Sequence, residues 1–158
     1  MDECIPQEVI KNIEEQCRNC DSDELNNIYN YALANISNPE VLLGIVKLSN
    51  DLQDENRLSL LIDILVKRID LGDSEESVNL RVACAKSISH YKSTSSVNAL
   101  LYCLNNKNEN YKLRLACAEA LGRIGSSYAV TPLIDLVSDN EEKSTEMIKI
   151  DSGLSDYE

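Results

Sequence analysis

At 158 residues the chain is long enough to bury a core of its own, and no run of about 18 apolar residues marks a membrane span. It contains no Phe and no Trp and only five Gly and three Pro, so the core must be aliphatic and a turn-rich β fold is disfavoured. The formal charge of −12 argues against nucleic-acid phosphate and anionic lipid as partners.

The charge sits at the two ends. Residues 1–25 hold eight acids and two bases, and residues 139–158 seven acids and two bases, against twelve and eleven between them. Such ends keep a protein soluble or suit a basic protein partner. The opening MDECIPQEV lacks the basic and apolar regions of a secretory signal, so the six Cys are expected to be reduced thiols of a cytoplasmic protein.

Helical periodicity runs through most of the chain. Residues 6–18 place Ile10 and Ile13 on one face, with Val9 and Cys17 beside them. Asp21 or Ser22 offers an N-cap to a helix carrying Leu25, Ile28, Ala32 and Ile36. Asn38-Pro39-Glu40 breaks the chain and opens a third helix, striped by Val41, Leu42, Ile45 and Leu48 or Leu52. A fourth is expected from about Glu55 to Ile69, with Leu58, Leu61, Ile62 and Leu65 buried.

After a polar loop at 70–78, the spacing predicts a helix over 79–91 that buries Leu80, Cys84 and Ile88. The next, over 95–105, buries Val97, Leu100, Leu101 and Leu104. NKNEN turns the chain, and the unit is then written again. Leu113, Cys117 and Leu121 face inward in LRLACAEALGRIG, with Arg114 and Glu119 expected outward and Gly125 as the stop. Val130, Leu133, Ile134 and Val137 make the matching second stripe, with Pro132 in its first turn.

Residues 80–104 and 113–137 align without a gap, and eight of twenty-five positions are identical. The stripe at 58–65 is the same unit 39 positions earlier, and residues 6–36 form a degenerate fourth pair. A two-helix unit with a period near 33 residues is a helical repeat. The expected fold is all-α: an α-solenoid of about four stacked antiparallel helix pairs over residues 1–144. Residues 145–158 are expected to form a short cap and a frayed acidic tail. End units lack a neighbour and should be polar there.

LRLACAEALGRIGSSYAVTPLIDLV resembles a HEAT-like repeat of the phycobilisome-lyase type. Leu113, Arg114, Ala116, Ala118, Glu119, Ala120, Leu121, Gly122, Ile124 and Gly125 carry the first half of that pattern. Ala129, Val130, Pro132, Leu133, Ile134, Leu136 and Val137 carry the second. The unit at 80–104 departs at His90, Tyr91 and Lys92, and before residue 56 only apolar spacing matches. The resemblance implies a solenoid whose second helices line its concave side. It extends to bilin-attachment enzymes, their chaperone-like relatives and many binding scaffolds. Diiron hydroxylases built on similar repeats need His-Glu pairs on several helices, and His90 is the single histidine here.

No catalytic constellation is present: no Gly-rich phosphate loop, no Ser/His/Asp set, no basic stripe with aromatics. Cys17-Arg-Asn-Cys20, with Cys4 upstream, lacks the further ligands of a zinc site and the βαβ setting of a redox motif. Cys84, Cys103 and Cys117 sit at small or apolar positions and read as packing. No cofactor or metal is therefore expected.

The function expected is a scaffold that binds another protein. The site is the outward face of the second helices: Ser59, Asp63 and Lys67; Asn98, Tyr102 and Asn105; Thr131, Asp135 and Ser138. Tyr102 is its aromatic anchor. Two alternatives stand beside this reading. One is a bilin lyase or lyase-associated chaperone, with a bilin as ligand, from the resemblance. The other is an acidic inhibitor of a basic enzyme, from the charge.

Overall fold

The computed structural model describes residues 6–66 and 71–138. Helix α1 spans Pro6–Gln16 and passes through a 3-10 turn at Cys17–Asn19 into α2, Ser22–Asn35. Then come α3, Pro39–Ser49; α4, Glu55–Leu65; α5, Glu75–Ile88; α6, Thr94–Asn105; and α7, Tyr111–Ile124. A second 3-10 turn at Ser127–Ala129 leads into α8, residues 130–138. The described residues contain no strand.

Short polar side chains start these helices by accepting from orphan N–H groups. Asp21 and Glu24 form a reciprocal capping box on α2, at 2.9 and 3.1 Å. Asn38 accepts from Glu40 and Val41 N–H at 3.0 Å, with Pro39 in the first turn of α3. Asp54, Ser74, Ser93 and Asn110 cap α4 to α7. Gly125, at φ 75°, ends α7 in the left-handed region that its missing Cβ permits.

The first helices of the pairs, α1, α3, α5 and α7, stack in one row, and α2, α4 and α6 stack in a second. Each second helix also packs on the first helix of the next pair: α2 on α3, α4 on α5, α6 on α7. The two helices of one sequence unit, such as α5 and α6, meet less closely than either meets the adjoining units. A lone unit therefore leaves most of its apolar surface in water, and stacking is what folds it. Leu33, Leu42, Ile45, Leu65, Leu80 and Leu100 are fully buried along this continuous core, each contributing roughly 1.5–3 kcal/mol.

Several expectations need correction, beginning with the loop expected at 70–78, of which α5 takes the second half from Glu75. Ile64, not Ile62, is the fully buried isoleucine of α4, while Ile62 is half-buried. Arg114 is not outward: it is 4% exposed, and its Nε donates to the Leu104 carbonyl at the end of α6, 3.0 Å away. Arg81, one unit earlier, does the same to the Leu65 carbonyl of α4 at 2.8 Å. The last second-helix stripe is not buried either. Val130, Ile134 and Val137 are 56%, 60% and 59% exposed, and only Leu133 and Leu136 reach the core. Their counterparts in α6 are covered because α7 lies on them. The segment expected to cap the solenoid, 145–158, lies outside the described residues.

Candidate interaction ridge

The buried side chains set the register of the second-helix row. Tyr29, Ala32 and Leu33 of α2 correspond to Leu61, Ile64 and Leu65 of α4 and to Leu100, Cys103 and Leu104 of α6. The same spacing in α8 gives Leu133, Leu136 and Val137. With inward positions so matched, Tyr31, Asp63, Tyr102 and Asp135 fall at one outward position, and Asn27, Ser59, Asn98 and Thr131 fall one turn earlier. All eight are exposed.

Of the nine positions expected from the sequence, the eight described ones, Ser59, Asp63, Asn98, Tyr102, Asn105, Thr131, Asp135 and Ser138, are solvent-facing. Lys67 lies outside the described residues. Helices packed in such a row lie about 8–10 Å apart, so successive rungs are within reach of one partner element. Ser59 is locally engaged, its Oγ donating to the Asn56 carbonyl at 3.1 Å.

Sequence reasoning missed Tyr31. It is 72% exposed, against 65% for Tyr102, and extends the ridge by a rung. The row then alternates Tyr, Asp, Tyr, Asp. The signal was available in the inward set Tyr29, Ala32 and Leu33. The apolar stripe Leu25, Ile28, Ala32 and Ile36 obscured it, because Ile28 turns out to be exposed.

The other candidate chemistry resolves into structure. Cys84, Cys103 and Cys117 are buried between α5, α6 and α7. Burial raises the Cys84 thiol far above its ordinary range. Cys103 donates toward the Leu65 carbonyl at 3.6 Å; a thiol–thiol hydrogen bond with Cys117 and the nearby Arg81 lower its pKa, while that hydrogen bond and burial raise that of Cys117. Cys17 and Cys20 are half-buried at the α1–α2 corner, where desolvation and the neighbouring Cys17 and Glu24 raise the Cys20 thiol. No group of three or more His, Cys, Asp or Glu suited to a metal occurs among the described residues. Cys4 lies outside them.

His90 follows the end of α5, its Nδ1 3.2 Å from the Ser87 carbonyl. It borders a recess of about 10 Å³ with Ser49, Gln53, Arg57, Ser87 and Tyr91. That is room for one water, not for an organic substrate. Arg57 is buried there. It donates to the Ser49 carbonyl at 3.1 Å, to the Leu52 carbonyl and to Asn26 Oδ1 at 2.6 Å, and lies 5.7 Å from the Tyr29 ring centre. Its charge closes the C-terminal end of α3.

Against known families, the profile described as HEAT repeats matches residues 62–147, more than half of the chain. The chain belongs to the HEAT-repeat family. No curated protein and no solved structure gives a significant match. The HEAT match begins within α4 and takes in the two units whose sequences align without a gap. It leaves α1, α2 and α3 to be recognised by their packing alone. No helix of the described residues is long and apolar enough to cross a membrane.

Proposed function

We propose that this HEAT-repeat protein is a non-catalytic scaffold that holds another protein against the ridge of its second helices. HEAT repeats commonly serve as protein-interaction surfaces. The observation that carries the ridge assignment is the pair of exposed tyrosines, Tyr31 and Tyr102, at matching positions of α2 and α6, with Asp63 and Asp135 between and beyond them. Tyrosine supplies large contact area at low entropic cost and concentrates at interface hot spots. Alternating carboxylates favour a partner face with basic side chains between apolar ones.

The likeness to the phycobilisome-lyase type rests on residues 113–137. In them Leu113, Arg114, Cys117 and Leu121 are engaged in packing and Gly125 in ending α7. That likeness supports the fold, and no feature of the ridge favours a tetrapyrrole over a protein.

The test replaces Tyr31 and Tyr102 with Ala, singly and together, alongside the control Lys86→Ala on the first-helix row. A photo-crosslinker at Asn98 should capture a discrete partner in the native source. The tyrosine variants should weaken capture by more than tenfold while thermal melts shift little, as exposed substitutions cost within about 0.5 kcal/mol. Equal loss for Lys86→Ala, or no loss for the tyrosines, would remove the ridge from the reading.

A further inference from the structure

Cys17 and Cys20 bracket the 3-10 turn that joins α1 to α2. The Cys20 N–H donates to the Cys17 carbonyl at 3.1 Å. A turn closed in this way brings its first and fourth Cα atoms within about 7 Å of each other. A disulfide spans Cα separations of about 4.4–6.8 Å. In a 3-10 turn the side chains at i and i+3 stand one above the other. The two thiols are therefore neighbours, and bonding them requires no displacement of α1 or α2. Both are half-buried, whereas Cys84, Cys103 and Cys117 are buried, so a thiol reagent reaches this pair first.

The surroundings oppose the thiolate. The turn follows the C-terminal end of α1, where negative charge is disfavoured. The N-terminus of α2 would favour it, but the carboxylates of Asp21 and Glu24 already occupy that end. Desolvation, then Cys17 and Glu24, raise the Cys20 thiol. A dithiol whose reduced form gains nothing from the protein makes a weakly oxidising disulfide, one that persists once formed.

We propose that Cys17 and Cys20 are a reversible dithiol–disulfide site whose co-substrate is a low-molecular-weight disulfide. The Cys17 thiolate attacks one sulfur of that disulfide, forms a mixed disulfide and releases a small thiolate, which takes up the proton Cys17 gave away. With Cys17 capped, its charge and its hydrogen bond no longer hold the proton on Cys20. Cys20 then ionises and attacks Cys17 Sγ, closing the internal bond and expelling the second small thiolate, which is protonated in turn. The protein loses two electrons and two protons, and the small disulfide becomes two thiols. The bond lies wholly within the α1–α2 corner and leaves the ridge in place.

The test equilibrates the full chain with reduced and oxidised glutathione at mildly alkaline pH, quenches with acid, alkylates the unfolded chain and digests it with trypsin. Cleavage after Arg18 separates the two cysteines, so the bond appears as a pair of linked peptides. More than half of the chains should carry the Cys17–Cys20 link, with Cys84, Cys103 and Cys117 recovered as alkylated thiols. Cys20→Ser should stop at the first step, with one glutathione on Cys17. Glutathione retained on Cys17 of the unsubstituted chain without a link would overturn the proposal. So would a bond from either cysteine to Cys4, or recovery of both thiols free.

Discussion

Three arginines hold this fold from the inside. Arg57, Arg81 and Arg114 are each under 5% exposed and each donates to carbonyls at the end of a helix on another part of the chain. Arg81 also carries a counter-charge. Burial works against its charge, and two hydrogen bonds to Glu109, at 2.9 and 2.8 Å, outweigh that, holding its pKa above the ordinary value. Glu109→Ala would leave the guanidinium buried without its counter-charge and should cost on the order of 3 kcal/mol in urea unfolding. Arg81→Met with Glu109→Gln should cost less than Glu109→Ala alone, since no bare charge remains. Cys84 adds a pH dependence. Its pKa is raised by burial from the ordinary value of 9.0, so the unfolded chain releases this proton while the folded chain keeps it. Stability is thus fully present below about pH 9 and falls as the pH rises beyond it. Thermal melts between pH 7 and 11 should show that decline, and Cys84→Ala should make it shallower.

At the level of the helix, α1 is the loosest member, with no buried residue of its own. Val9, Ile10 and Ile13 pack it on the core, and the tightest fit is at Ile10: a Cβ at Gly44 of α3 would come within 2.5 Å of Ile10 Cδ1 and 2.6 Å of Cγ1. Gly44→Ala should gain up to about 1 kcal/mol of helix propensity in α3 and lose the docking of α1. Hydrogen exchange should then speed up over Pro6–Gln16 and spare α5 to α7, and adding Ile10→Ala should restore the fit. The starts and stops of helices were legible because their chemistry is local. Asp21, Asn38 and Gly125 act on groups within four residues in sequence. The buried arginines were not, because a charged side chain is taken as solvent-facing unless its distant acceptor is known. Arg114 meets a carbonyl ten residues back, on a different helix. The ridge positions in α4, α6 and α8 could be read as the complement of the apolar stripes, whereas Tyr31 needed the actual burial of Tyr29 and Leu33 to fix its row.

For the molecule as a whole, the repeat was visible because each unit faces the same packing problem and solves it with the same residues. The sequence could not say whether a given stripe finds a neighbour. Val97 and Val130 occupy equivalent positions, and one is half-buried while the other is exposed. Burial in a solenoid belongs to the junction, not to the unit. The junctions of α4 with α5 and of α6 with α7 also have a direction: the acceptor carbonyl lies at the end of the earlier unit and the arginine that finds it near the start of the later one. A unit is thus a plug at one side and a socket at the other. A duplicated block inserted in frame after Lys112, beginning at Leu80 and ending at Lys112, would present a plug to α6 and a socket to the original α7. The same block reversed in order or fused out of phase would match neither. The molecule can lengthen by copying its own text, 33 residues at a time, which is how the gap-free pair at 80–104 and 113–137 reads.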